Sequence, residues 1–258
     1  VASKKLVYKH YDTEVQGLAV IRPGEADAGV QAPIPGDKIG YALAVDSNPK
    51  YGRINSYLAG INAVAECMRN VAAVGAVPYG MTDCLNYGNP EVPEAFYEFV
   101  EGVKGISEAA KNIYLKGTNK PVPFVSGNVS FYNESATGKA VDPSAIISCV
   151  GVLKDYSKAI TMQIKEENST LFLVGERKDE LGGSIYYEIN NEIGLNVPKI
   201  DFEKERKMIY AITDCIDKRL LLSCHDISDG GFITTVSEML LGGEAKGRIG
   251  AKINIDFS

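Results

Sequence analysis

Three features of the sequence predict an α/β protein arranged as α+β layers. The run "GYALAVD" is short and nearly continuously apolar, the pattern of a strand covered on both faces. Two longer stretches, around residues 55–75 and 93–113, repeat apolar side chains at helical spacing. Strand-like and helix-like stretches then alternate along the chain, an order that favours layers over a pure helical bundle.

The elements follow in order. The Gly40–Asp46 strand ends in "DSNP", a turn signal. Leu58, Ile61, Ala65, Met68 and Ala72 mark one face of a helix, with Asn55 or Ser56 as N-cap and Gly75 and Pro78 as stops. "YGMTDCLNYGNP" reads as a strand running into a Gly/Asn/Pro loop. Phe96, Val100, Val103, Ile106 and Ala110 form a second stripe, a helix that accommodates Gly102 and Gly105. The polar connection "LKGTNK" returns the chain to a short strand, "PVPFV", whose end is expected at "SGN". A further apolar strand, "AIISCVGVL", closes the unit near Leu153.

A polar stretch over 154–170 marks the expected boundary between a first domain, 1–155, and a second, 156–258. Beyond it, "TLFLVGE" reads as a strand and "DELGGSIYYEIN" as a glycine-broken turn into an ordered segment. "DFEKERKMIYAITDCIDKRL" reads as a helix. "LLSCHDISDGGFITTVSEMLLGG" passes from a buried strand through a small polar turn into a helix beginning near Gly231, and "AKINIDFS" reads as a final strand.

Composition limits the function classes. A chain of 258 residues is long enough for a sizeable core. With 33 acidic against 27 basic side chains its formal charge is -6, which argues against a nucleic-acid surface. The N-terminal "VASKKLVYKHYD" lacks the apolar core of a signal peptide and no stretch is long enough to span a bilayer, so a soluble, cytoplasmic protein is expected. The five cysteines stand singly in apolar surroundings with no C-x-x-C pair, and read as reduced, mostly buried thiols. His10 and His225 are the only histidines, which leaves little for a zinc site or a Ser-His-Asp arrangement. A bound metal is expected to be a hard, oxygen-liganded ion such as magnesium. Neither of the two best-known phosphate loops, G-x-x-x-x-G-K-[ST] and G-x-G-x-x-G, is present.

Candidate site residues cluster at two expected strand ends. Asp83 lies in "TDCLNYGNP", and Ser126, Gly127, Asn128 and Ser130 lie in "SGNVSFYNE". The intervening helix is a crossover able to bring both ends to one edge of a sheet, the usual place for a ligand in layered α/β folds. A carboxylate near an amide, a hydroxyl and a glycine suits magnesium and phosphate oxygens, while the same residue types also serve as plain turn formers. "CHDISDGG" places Asp226 and Asp229 before a helix start, where Ser228 or Asp229 serves as N-cap or the free N–H groups receive an anion. His225, after an apolar run, reads as a satisfied core residue. Cys84 has no histidine nearby in sequence to activate it.

Taken together, "YDTEVQGLAVIRPGEADAGV", "NAVAECMRNVAAVGAVPYGMTDCLNYGNPE", "FVSGNVSFYNE", "LFLVGERKDELGGSIYYE" and "CHDISDGG" resemble the phosphoribosylformylglycinamidine synthases. The resemblance covers nearly the whole chain and is to the second half of those enzymes. "TDCLNYGNPE" with "SGNVSFYNE" is specific to them, whereas the "HD-SDGG" pattern is shared across the aminoimidazole ribotide synthetase superfamily. It implies a ferredoxin-like, PurM-like N-terminal domain followed by a C-terminal α/β domain that is cut short here. Two such N-terminal domains would form a pseudo-dimeric barrel.

The implied reaction converts formylglycinamide ribonucleotide to the amidine with ATP, magnesium and ammonia from a glutaminase subunit or domain. By motif match, Asp83 and Gly127 would contact ATP, Asn128 would bind magnesium and Ser130 would contact the ribonucleotide. No residue of the chain is assigned a catalytic role. The family's catalytic histidines belong to the missing N-terminal half, so the isolated chain is expected to be inactive and to form a homodimer in that half's absence. Alternatives are a non-catalytic pairing module with an auxiliary nucleotide pocket near Asp46 and Asn48, or another ATP-dependent member of the superfamily. Two departures from the family pattern are the single proline of "VDPSAIISCVG" and the insertion "YLKGTNK", expected to lengthen a connection next to the site.

Overall fold

The computed structural model describes residues 4–242 and 249–254. A single-turn helix, α1 (Lys5–Tyr8), precedes two short strands, β1 (Ala19–Ile21) and β2 (Gly29–Gln31), and a longer one, β3 (Gly40–Asp46). Two helices follow, α2 (Pro49–Ile54) and α3 (Ser56–Ala73), then β4 (Val77–Asn86), α4 (Pro93–Asn112), β5 (Phe124–Ser130) and β6 (Ser144–Leu153). The rest of the chain carries α5 (Ile185–Ile189), α6 (Phe202–Asp217) and α7 (Gly231–Leu241). No helix among the described residues is long and apolar enough to cross a membrane.

The six strands form one sheet in the order β1-β2-β3-β6-β4-β5. All neighbours are antiparallel except β4 and β5, which run parallel because α4 carries the chain back across the sheet. The helices cover one face. Ala42, Ala44, Met81, Ala145, Ile147 and Cys149 from that face meet Val64, Met68 and Val71 of α3 in the main core.

Helix α3 starts where the Asn55 side chain accepts from the Leu58 N–H at 2.9 Å, the cap expected from sequence. It ends before Gly75, whose φ of +95° suits a left-handed stop. Because α3 lies between the sheet and α4, it is buried almost all round. Glycine makes the α3–α4 approach possible: a Cβ on Gly105 would overlap the Tyr57 carbonyl oxygen, and one on Gly60 would meet the Ile106 amide nitrogen at 3.0 Å.

The sequence expectation differs from the structure at several elements. β3 is not covered on both faces; it alternates, with Leu43 45% and Val45 60% exposed, because no layer lies over the second face. β1 and β2, three residues each, were not anticipated. β5 does not end at "SGN" but runs on through Ser130 in register with β4. The stretches 171–174, 221–224 and 251–254 form no strand, since none has a ladder neighbour among the described residues; Phe172 is 79% exposed. The remainder of the expected last strand, 255–258, lies outside the described residues.

A polar seam joins α3, α4 and the α4–β5 connection to the later helices. Arg69 pairs with Glu205 at 2.8 Å, and the Asn62 side-chain amide donates to the Pro198 carbonyl at 2.8 Å. The inserted "YLKGTNK" lies against α6 rather than beside the candidate site. The Tyr210 hydroxyl donates to the Tyr114 carbonyl at 2.6 Å, Lys116 reaches Thr213 at 3.0 Å, and Arg206 stacks 4.1 Å over the Tyr114 ring. This connection leads into the start of β5, at the far end of that strand from Asn128.

Gly105→Ala is expected to destabilise the fold by about 1–3 kcal/mol, because the overlapped atom is backbone and cannot rotate away. Urea titration checks this: the midpoint should fall with an unchanged slope.

Candidate functional site

The uncovered face of the sheet divides into two halves. Tyr79, Leu43, Val45 and Val150 make one part apolar and exposed. Toward the C-terminal ends of β4 and β5 the side chains become small and polar. In-register pairing sets Thr82 beside Ser126, Cys84 beside Asn128 and Asn86 beside Ser130, with Ser148, Ile146 and Ser144 as the β6 partners of the same rows. Residues two apart share a face, so Thr82, Cys84, Asn86, Ser126, Asn128 and Ser130 line one polar ladder. β5 is the edge strand, which leaves this ladder open on its outer side.

Asp83 and Gly127 pair with one another on the opposite face, the one that Met81 and Leu85 bury farther in, and the edge position leaves Gly127 itself exposed. A Cβ at Gly127 would lie 2.5 Å from Asp83 Oδ1, so this glycine is the space in which the carboxylate sits. Burial pushes the Asp83 carboxyl up from its ordinary value, and the main-chain N–H of Asn128 draws it back toward the charged form. The four residues singled out by sequence therefore adjoin in two rows of two strands. Asn128 and Ser130 lie on the open face and Asp83 and Gly127 on the other, and all four lie within strands that run on past the ends expected for them.

Just past β5 the backbone turns sharply. Tyr132 has φ of +58°, a conformation that bulky side chains rarely adopt. This turn brings Asn133 back against both strand ends. Its side-chain amide donates to the carbonyls of Ser130 at 2.8 Å and Tyr87 at 3.1 Å, and its oxygen accepts from the Ser130 hydroxyl at 3.2 Å.

A second polar group lies between the sheet and the last helices. Asp27, from the loop joining β1 to β2, lies 2.5 Å from His225 Nδ1 and accepts from the Asp226 main-chain N–H at 3.0 Å. His225 Nε2 is 3.1 Å from Glu238 on α7. Asp46, at the end of β3, accepts from the Asn70 amide at 2.5 Å. Burial, with Asp226 and Asp27 adding repulsion against the Asn70 hydrogen bond, pushes the Asp46 carboxyl up to about 7. Burial and the neighbouring Asp46 push Glu66 up to about 8. Burial alone would lower His225, but Asp27 and Glu238 outweigh it and raise the imidazole to about 9.

This group suits a hard cation. Asp27, His225 and Asp226 offer donor atoms within 4.8 Å of one another, and two buried oxygens, Asn70 Oδ1 and Asp226 Oδ2, have no hydrogen-bond partner. Both orphaned atoms are acceptors, whereas the His225 nitrogens are already engaged by carboxylates, so the residues fit an oxygen-liganded ion better than a nitrogen-liganded one.

His225 is a satisfied residue, as its sequence context suggests. Asn48 is not part of the group; it caps α2 by accepting from the Lys50 N–H at 3.1 Å. Neither Ser228 nor Asp229 caps α7; its N-cap is Gly230, with φ of +84° and no side-chain cap hydrogen bond. Sequence reasoning missed Asp27, Glu66 and Asn70. The legible signal was Glu66 and Asn70, two polar residues one turn apart in a mainly apolar helix. Cys67 and Cys149 are buried and all five thiols are free, in accord with the reduced thiols expected.

Residues 25–153 match the family described as AIR synthase related protein, N-terminal domain, and residues 166–257 match its C-terminal domain. The chain is 58% identical to the phosphoribosylformylglycinamidine synthase subunit PurL of Methanothrix thermoacetophila, over 93% of this chain and 32% of that protein. It is 38% identical to the PurL subunit of Caldanaerobacter subterraneus, over 100% of this chain and 33% of that protein. It thus spans about a third of the length of these curated relatives. Among solved structures, the Thermotoga maritima PurLQS complex matches with a TM-score of 0.53 and 28% identity, over 62% of this chain and 25% of that one. The T. maritima PurL complexed with FGAR matches in fold, with a TM-score of 0.57 and 22% identity over 84% of this chain and 30% of that one.

The buried carboxylates give the metal-free protein a defined pH dependence. Asp46 and Glu66 titrate above their ordinary values in the fold, so the native state holds protons that the unfolded chain releases, and stability falls as pH rises through about 7 and about 8. The His225 contribution is full below about 6.5 and is lost as pH rises through about 9, the same direction. In EDTA, the thermal midpoint should be lower at pH 9 than at pH 6, and Glu66→Gln should shrink that difference; an equal or higher midpoint at pH 9 would contradict this account.

Proposed function

Because the chain belongs to the AIR synthase related protein family, we propose that it is the second half of the synthetase polypeptide of a phosphoribosylformylglycinamidine synthase acting in the cytoplasm. In that reaction the amide oxygen of formylglycinamide ribonucleotide attacks the γ-phosphorus of ATP, and ADP leaves. Ammonia from a glutaminase then adds to the activated carbon, and phosphate departs with the former amide oxygen, leaving the amidine. The observation that carries the reading is the ordered polar ladder at the ends of β4 and β5, backed by the Asp83–Gly127 fit. The identity to PurL subunits supports it.

The residue roles we assign rest on the motif resemblance, which this arrangement supports. Asn128 directs an amide oxygen to the open face, where magnesium would neutralise charge on the triphosphate. Gly127 and Asp83 form the nucleotide side of the edge, with the Asp83 carboxylate holding the main chain of Gly127 and Asn128 in place for phosphate oxygens. Ser130, in the next row, meets the ribonucleotide. The apolar half of the open face, with Leu43, Val45, Tyr79 and Val150, is the surface we assign to pairing with the other half of the enzyme. A chain holding one wall of a shared site is inactive alone.

A second reading, a nucleotide-binding and pairing module, draws on the buried acidic group, whose orphaned Asn70 and Asp226 oxygens suit a magnesium ion carrying a nucleotide's phosphates. The two readings make opposite predictions for one experiment. In the full-length enzyme, Asn128→Ala and Gly127→Ala should each lower kcat/KM for ammonia-dependent amidine formation by about 100-fold, the usual cost of removing one group that holds transition-state charge. Turnover within about twofold of wild type in both variants would leave only the pairing role.

The acidic group is tested separately by magnesium titration of the isolated chain. The thermal midpoint should rise with added magnesium in wild type and not in Asp226→Asn, since only the former offers the full carboxylate set.

A further inference from the structure

We propose that Asn133 is a positioning residue that turns Ser130 into a hydrogen-bond acceptor toward its ligand, so that Ser130 reads an N–H or O–H group of the ribonucleotide and not its phosphate. The inference rests on the reading of Ser130 as a substrate contact. The orientation of the Asn133 amide is fixed by its surroundings: the nitrogen faces two main-chain carbonyls, those of Ser130 at 2.8 Å and Tyr87 at 3.1 Å, and a reversed amide would set oxygen against oxygen at both. The oxygen of Asn133 therefore faces the Ser130 hydroxyl at 3.2 Å. An amide oxygen carries no proton, so the proton of that bond belongs to Ser130.

A hydroxyl has one proton and two lone pairs, and here the proton is already committed away from the ladder. What Ser130 presents to the open face is acceptor capacity alone. A phosphate dianion has no proton to give and is repelled by such a group, whereas an amide N–H or a ribose hydroxyl is matched by it. The device is rigid. The Asn133 main chain is held as well, donating its N–H to the Tyr87 carbonyl at 3.2 Å and accepting from the Val141 N–H at 3.0 Å. The left-handed Tyr132 is what delivers it there, a backbone cost borne next to the proposed ligand contact.

The test uses the full-length enzyme and two ligands, formylglycinamide ribonucleotide and the same compound lacking its 5′-phosphate. Ser130→Ala should raise the dissociation constants of both by the same factor, roughly three- to tenfold. A loss confined to the phosphorylated ligand would mean that Ser130 touches the phosphate, and would overturn the inference, as would no change with either. Asn133→Ala should raise KM for the ribonucleotide while leaving KM for ATP unchanged, and should add little once Ser130 is already Ala. Full additivity would reduce Asn133 to a structural role. Should Asn133→Ala fail to fold, the comparison of the two ligands with Ser130→Ala decides the question alone. Failure of the wild-type enzyme to bind the ribonucleotide at all would instead remove the functional reading on which the inference stands.

Discussion

The burial of α3 between the sheet and α4 is the constraint on which the remaining architecture depends. A helix surrounded by protein cannot be amphipathic in the ordinary sense, and α3 is accordingly rich in alanine and small aliphatic residues. The close α3–α4 approach requires Gly60 and Gly105, while Gly102 leaves room for the Tyr87 hydroxyl, so the second helix is anchored at fixed points. With both helices on one side, the other face of the sheet is left free. That face is where the chain offers an apolar surface and a polar ladder.

The same helix explains how charge is managed inside the molecule. Glu66, Arg69 and Asn70 leave its flank together, toward Asp46, Asp226 and Glu205. Arg69 is held firmly protonated by Glu205 and Glu66 despite its burial. One guanidinium and one imidazolium face a larger number of carboxylates, and the system responds by holding protons on Asp46 and Glu66.

The layered class, the two central helices and the family resemblance were legible in the sequence because each rests on local periodicity or on contiguous motifs. The helix over 93–112 could be found from its apolar spacing without knowing its partners, but its buried face is Ala95, Gly102, Gly105, Ile106, Ala109 and Ala110, and Phe96 and Val103 of the expected stripe are exposed. The course of β5 could not be found that way. "SGNVS" has the composition of a turn, and only its pairing with Thr82–Asn86 makes it a strand, an edge position that tolerates small polar residues. The acidic group was only partly legible: Glu66 and Asn70 stand one turn apart in α3 and Asp226 lies in a quoted motif, but Asp27 comes from a distant segment and nothing local signals that these residues meet. Asn133 was quoted within a motif, yet its significance lies in the two carbonyls it bridges, which no spacing rule reveals. The strands expected at 171–174 and 221–224 failed because apolar sequence supplies the tendency to pair, not the neighbour.

The polar seam between α3 and α6 carries a consequence for how the molecule opens. Arg69 and Glu205 are both largely shielded, so withdrawing α6 leaves a guanidinium in a poorly solvated place without its counter-ion. The strap at Tyr114 and Lys116 resists the same movement from the other end of the helix. Amide protons of α6 should thus exchange with solvent only in openings that also expose α3, making the two helices one cooperative unit although α3 falls in the N-terminal family match and α6 in the C-terminal one.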